Sequence, residues 1–183
     1  MRPGTLLGKF QARDGREVTL RAPRWSDLDD MLDFINSLVD ESAPILKETK
    51  MTREGEIDWL ARFLSRLEKG KIVGIVAEVD GRFVGQVEVS PGSERSNHLG
   101  RLGISLRDGF RDVGIGTEMM LEAETQARAL GLEVVTLEVF ATNERAIHVY
   151  EKVGFTVVGR IPRGARMPEG YVDVLIMTKE ISP

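Results

Sequence analysis

The chain has no cysteine, no apolar run long enough to cross a bilayer and no excess of basic charge. Each absence excludes a class of function. Without cysteine there is no disulfide, no thiolate metal site and no cysteine nucleophile. The two histidines, His98 and His148, stand far apart in the sequence with no thiolate to join them, so both read as structural or surface residues and no metal is expected. No stretch approaches the ~18 apolar residues of a transmembrane helix. The opening "MRPGTLLGKFQARDG" lacks the apolar core of a secretory signal, so no membrane association is expected and the protein is assigned to the cytoplasm. Lys plus Arg number 25 against 29 for Asp plus Glu, a net charge of −4, which offers no basic field to nucleic acid.

What is present is a change of hydrophobic period along one domain of 183 residues. "EVTLRAP" (17–23) reads as a first strand. Ser26 or Asp27 suits the cap of a helix whose apolar residues Leu28, Met31, Leu32, Ile35 and Leu38 fall at helical spacing. A polar loop with Pro44 follows, then a second helix from Arg53 to Lys69 carrying Ile57, Leu60, Leu64 and Leu67. From Lys71, two β-branched runs flank Asp80-Gly81, a strong hairpin signal. "HLGRLGISL" (98–106) reads as the next strand, and its Gly100 and Gly103 suggest a bulge or the close approach of another group. A helix to about Leu130, a strand "EVVTLEV", a helix from about Asn143 to Val153 and two final strands complete the pattern. This is an α/β chain with a mixed, mostly antiparallel central sheet flanked by helices. Three segments compose the single domain: 1–70, 71–155 and 156–183.

The stretch "RDVGIGT" (111–117) places two glycines one residue apart where a helix begins. Glycine costs roughly 0.5–1 kcal/mol relative to alanine within regular structure, so the pair calls for a compensating reason. A P-loop reading fails because Gly116 is followed by Thr117 and no lysine; a dinucleotide fingerprint fails because Met119 stands where a third small residue belongs. Two readings remain. One is a tight strand-to-helix turn with no ligand. The other is a diphosphate cradle in which the N–H groups of Val113, Gly114, Ile115, Gly116 and Thr117 face an anion at the free helix N-terminus, with Arg111 as an added cation and Asp112 within the turn.

"RDVGIG" resembles the Arg/Gln-x-x-Gly-x-Gly/Ala signature of the GNAT superfamily of acyl-CoA-dependent N-acyltransferases. Downstream, "LEVFATNERAIHVYEKVGF" (137–155) is similar to the second signature of that family, in which Asn, Ala, Tyr and Gly-Phe recur at these intervals. The resemblance covers residues 71–155 well, the final strands loosely and the first seventy residues by element order. It implies acetyl-CoA as co-substrate and a primary amine as acceptor, with the strand before the glycine turn splayed from its neighbour. Ile104, Ser105 and Leu106 would then bond the pantetheine arm as an added strand and polarise the thioester carbonyl. Pairing as a homodimer, frequent in that family, is left open.

The implied reaction is direct attack of the amine on the thioester, which needs a base for the amine and an acid for the departing thiolate. By the resemblance Tyr150 is the acid. Glu138 is the first choice of base, from a likeness of "LEV…N…Y" to the ribosomal-protein alanine N-acetyltransferase branch, and Glu88 is the second. Glu138 also alternates with apolar neighbours, as a solvated strand residue does. The splayed-strand position that carries a carboxylate in many relatives holds Arg101 here, which leaves a water chain as a further option. Asn143 caps its helix and would bind cofactor or a bridging water; Arg145 would reach the phosphates or lie on a solvated helix face. Acceptor choice is expected from the first two helices, the loop "VDESAPILKETK" and the final hairpin. "FTVVGRIPRG" (155–164) and "YVDVLIMTKEI" (171–181) are the two final strands, and the basic connection "GRIPRGARMPEGY" reads as a solvated loop or as a segment folded over the acceptor or the CoA phosphate. The ending "GYVDVLIM" resembles small-amine and amino-acid acetylating branches while "LEV" points to a peptide N-terminus, and both stay open. The rival from another class is an acyl-CoA-binding or sensing module without turnover.

Overall fold

The computed structural model describes residues 1–182. Strands β1 (Leu6–Gln11) and β2 (Glu17–Arg21) precede helices α1 (Leu28–Asp40) and α2 (Arg53–Glu68). Then come β3 (Val73–Val79), β4 (Arg82–Pro91), β5 (Leu99–Leu106), α3 (Ile115–Ala129), β6 (Val134–Phe140), α4 (Glu144–Lys152), β7 (Thr156–Met167) and β8 (Gly170–Glu180). Among the described residues these strands form one eight-stranded sheet in the order β1-β2-β3-β4-β5-β6-β8-β7. Every neighbouring pair is antiparallel except β5 and β6. The mixed, mostly antiparallel sheet read from the sequence is therefore the observed one.

Local chemistry sets the boundaries. Asp80 and Gly81 both take positive φ, 50° and 77°, the two left-handed residues of a tight hairpin turn between β3 and β4. Thr52 caps α2, its hydroxyl accepting a hydrogen bond from the Gly55 amide at 3.1 Å, and the Asn143 side chain accepts from the Ala146 amide at 3.2 Å to start α4. Ahead of α1 the buried Arg21 guanidinium grips Asp27 at 2.7 and 2.8 Å, while the Arg24 amide donates to the same carboxylate at 2.9 Å. Breaking such a pair from one side leaves an uncompensated buried charge, a loss of about 3–5 kcal/mol. Asp27 thus fixes where the first helix leaves the sheet.

Alternation along β3 explains the layering. Val73, Ile75 and Val79 pack with Ile115, Met119, Ala123 and Ala127 of α3 on one face. Val76 points the other way, into a cluster with Phe34 and Leu38 of α1 and Leu60 of α2. A fully buried aliphatic side chain of this kind contributes roughly 1.5–3 kcal/mol, so both helical layers are held by the same central strand.

Two expectations need correction. The first strand is not 17–23: β1 precedes it, half exposed at the sheet edge, where Gly8 and Lys9 interrupt the alternation that marks a buried strand. The stretch "GRIPRGARMPEGY" is not a solvated loop: the strand read over 155–164 continues to Met167. Most of it is β7, paired with β8 and carrying a bulge between Ile161 and Ala165. Asp173 pins the bulge, accepting from the Arg163 amide at 2.7 Å and Arg160 Nε at 2.6 Å. The bulge accommodates the proline at 162 and the glycine at 164 within the strand.

Candidate active site

Beyond Leu106 the chain turns through Arg107–Gly114 into α3. The two glycines of the opening turn serve different ends. Gly114 has φ +94°, a conformation side chains resist, and a Cβ there would meet only the Arg13 side chain, at 3.7 Å. Gly116 has ordinary φ, but a Cβ would stand 3.2 Å from Leu106 Cδ1, so its absence lets the helix lie close on β5. No side chain caps the N-terminus of α3. Its first amides and the positive end of its dipole stay available to an anion, and the space beside Gly114 is one a Cβ would fill.

The charged residues of this turn are already engaged. Arg111 Nε donates to the Leu106 carbonyl at 2.9 Å, and its guanidinium pairs with Glu41 at the end of α1. The geometry makes Arg111 a brace between β5, the turn and α1. Asp112, with φ +65°, pairs with Arg145 of α4 at 2.9 Å, both largely exposed. The first hairpin also reaches the turn: the Arg13 amide donates to the Val113 carbonyl at 2.9 Å and Arg16 donates to the Gly109 carbonyl at 2.8 Å. Arg13 was not singled out from sequence because its proximity is created by a strand that sequence reading missed.

β5 and β6 pair only from Leu99↔Val134 to Arg101↔Thr136. Beyond Arg101 they diverge, while β5 stays registered with β4 as far as Leu106↔Gly85. The β6-facing edge of Ile104, Ser105 and Leu106 therefore has no strand partner. The split opens a cleft of about 1020 Å³ lined on one side by these residues, Gly114 and Thr117, and on the other by α1, the 43–47 loop and the start of α2. Gly100 and Gly103 carry no bulge. A Cβ on Gly100 would collide with Val89 and Leu132 at 2.6 and 2.7 Å, whereas Gly103 leaves open floor beside Glu88, whose Cγ is the nearest atom at 3.9 Å.

Tyr150 projects from α4 toward the divergence. Its ring is buried against Phe155, centroids 6.3 Å apart, and its hydroxyl lines the cleft with no hydrogen-bond partner among the described residues. Burial pushes its pKa up to about 12. Glu88, opposite Gly103 on β4, is half-buried; desolvation raises its carboxyl above the usual value, and the charges of Arg66 and Arg101 counter that only in part. Glu138 also faces the cleft, yet its carboxylate lies 3.2 Å from Arg101 and is 37% exposed. Asn143 lines the cleft while serving as a cap. His148 is exposed at the rim. Sequence reading missed Glu56, Trp59, Gln86 and Ser90, which line the acceptor-side half; they come in pairs from α2 and β4, distant in sequence, and share no motif.

Comparison with known proteins agrees with this architecture. The acetyltransferase (GNAT) family profile matches residues 32–155. The chain is 22% identical over 168 residues to the L-methionine sulfoximine/L-methionine sulfone acetyltransferase of Pseudomonas aeruginosa, covering 91% of this chain and 96% of that one. The crystal structure of ribosomal-protein-alanine N-acetyltransferase from Brucella melitensis superposes with a TM-score of 0.79 at 26% identity, over 88% of this chain and 98% of that one. A phosphinothricin acetyltransferase from Sinorhizobium meliloti, solved in complex with AcCoA, shares the fold with a TM-score of 0.79 at 21% identity, over 89% and 88%. With its split sheet, open glycine turn and cleft tyrosine, the chain belongs to the GNAT family of acetyltransferases.

Proposed function

We propose that the protein transfers the acetyl group of acetyl-CoA to the primary amine of a small molecule, such as an amino acid, or of a peptide N-terminus, by direct attack in a ternary complex. The observation that carries this reading is that the unpaired edge of β5, the uncapped N-terminus of α3 and Tyr150 line one cleft. The amides of 113–117 would hold the diphosphate. The free edge at Ile104–Leu106 would take the pantetheine arm as an added strand and orient the thioester carbonyl toward main-chain donors. Acetyl-CoA supplies the activated acyl group.

The amine nitrogen attacks the carbonyl carbon, the C–N bond forms, the C–S bond breaks, and coenzyme A leaves with the proton it needs. Tyr150, protonated throughout the physiological range because of its raised pKa, donates to the departing sulfur. Of the two carboxylates, Glu88 is the better base. Its raised pKa gives it a higher proton affinity, and it has no ion-pair contact among the described residues, whereas Glu138 is already paired with Arg101. The attacking neutral amine loses one proton, to Glu88 directly or through one water, and that proton returns through solvent to Tyr150, which has given its own to the thiolate.

The test is release of free thiol from acetyl-CoA in the presence of amino acids, L-methionine sulfone, polyamines and short peptides with free N-termini. Enzyme-dependent thiol with at least one acceptor is the expected result. If calorimetry shows coenzyme A binding while no amine yields thiol above background, the acyl-CoA-binding module is the correct reading instead.

A further inference from the structure

Glu56 has no part in the chemistry above, and its surroundings give it no structural part either. It stands on the inward stripe of α2 formed by Glu56, Leu60, Phe63 and Leu67, only 4% exposed, where the other three positions are apolar. Its side chain makes no hydrogen bond or ion pair among the described residues. No side-chain oxygen there is both sealed and unpartnered, so the Glu56 carboxylate opens onto the cleft, between Met51, Trp59 and Lys47. The helix does not require it: Thr52 already caps α2, and Glu54 supplies an exposed acid to the first turn. Burying an unpaired carboxylate is costly, and an apolar side chain would pack on this stripe without that cost. Desolvation raises its proton affinity, and Lys47 offsets this only partly. A ligand donor is what the position lacks.

The position also separates Glu56 from the reacting atoms. Phe63, further along the same stripe, covers Gly74, whose register partner is Glu88. Seven residues of helix place Glu56 roughly 10 Å from that point along the axis of α2. Glu56 and Glu88 therefore address different ends of an acceptor. We propose that Glu56 is a specificity-determining residue that accepts a hydrogen bond from a second N–H-bearing group of the acceptor, an ammonium or an amide distinct from the amine that is acetylated. The inference rests on the acyl-transfer reading for the location of the acceptor.

L-lysine and L-glutamine carry a distal N–H donor, whereas L-norleucine has a similar chain without one. Binding of each to the protein saturated with coenzyme A, followed by calorimetry, tests the proposal even if turnover is absent; steady-state kinetics with acetyl-CoA adds KM and kcat where turnover occurs. The wild-type protein is expected to prefer lysine or glutamine over norleucine by tenfold or more. Glu56→Gln should erase most of the preference for lysine through KM, with kcat and coenzyme A affinity kept, and Glu56→Asp should restore part of it. Equal affinity for all three ligands in the wild-type protein, or a lysine preference that survives Glu56→Gln undiminished, overturns the proposal. Failure of acyl transfer itself shows separately, as donor-dependent binding without thiol release. If Glu56→Gln does not fold, the Glu56→Asp ratio against wild type decides.

Discussion

The wall of the cleft formed by residues 102–117 presents main-chain groups: a free strand edge, an uncapped helix end and glycines that keep both open. The facing wall presents side chains, among them Glu56, Trp59 and Gln86, borrowed from α2 and β4. On the proposed reading, main-chain donors would recognise what every acyl-CoA shares, and changing one requires changing the backbone. Side chains recognise what distinguishes one acceptor from another and can be exchanged singly. The division predicts that damage to the first wall is severe and independent of acceptor, and that damage to the second is graded and acceptor-specific.

The sharpest way to break this division is Gly114→Val. A left-handed β-branched residue costs at least about 1–2 kcal/mol, and its side chain enters the space left beside the turn, so acetyl-CoA affinity measured by calorimetry should fall beyond detection for every acceptor. Tyr150→Phe comes next. It keeps the ring against Phe155 and removes only the hydroxyl, so kcat should drop by about 100-fold with coenzyme A affinity unchanged. Comparable kcat in the two proteins would dismiss the tyrosine as the acid. With pKa near 12, it should also produce no falling alkaline limb below about pH 10.

Glu88→Gln and Glu138→Gln form a matched pair. The first should lower kcat by about tenfold and flatten the acid limb of the pH profile; the second should change kcat by less than about threefold. The sign also extends to stability. Because the folded-state pKa of Glu88 is raised, the folded protein holds that proton more tightly than the unfolded chain, and the carboxylate is a burden once pH rises through the shifted value. Glu88→Gln should therefore unfold at a higher temperature than wild type at pH 8, an advantage that disappears at pH 4. Reversed ranks for the two glutamates would return the base assignment to Glu138. The smallest effect is expected from Gly116→Ala, whose added methyl meets only the movable end of Leu106; acetyl-CoA affinity should weaken by no more than about twofold, well within the roughly 1 kcal/mol scale of modest overpacking.

How much of this was legible in the sequence follows the same line. The turn at 111–117 could be read because main-chain recognition leaves contiguous marks, glycines at fixed spacing before a helix. Tyr150 could be singled out because residues 137–155 resemble the second family signature over a contiguous stretch; the helix alone would have read it as a core tyrosine. Glu56 could not, since an acid in the first turn of a helix looks like a response to the dipole, and only the observed packing shows that it faces inward. The Arg101–Glu138 pair was equally hidden, because the two residues meet only across parallel strands with a whole helix between them in sequence. Arg111 was read as a cation for phosphate, and its engagement with Glu41 depends on where α1 ends.

The grip of the first hairpin on the glycine turn has a consequence for how the protein is made. Arg16 must find the carbonyl of Gly109, 93 positions later, and β2 has only β1 beside it until β3 has been synthesised. The turn therefore reaches its final shape only after the chain closes a long loop, a slow and entropically expensive event. Competence to bind the acyl donor should emerge late in folding, after both helical layers have settled on the central strands.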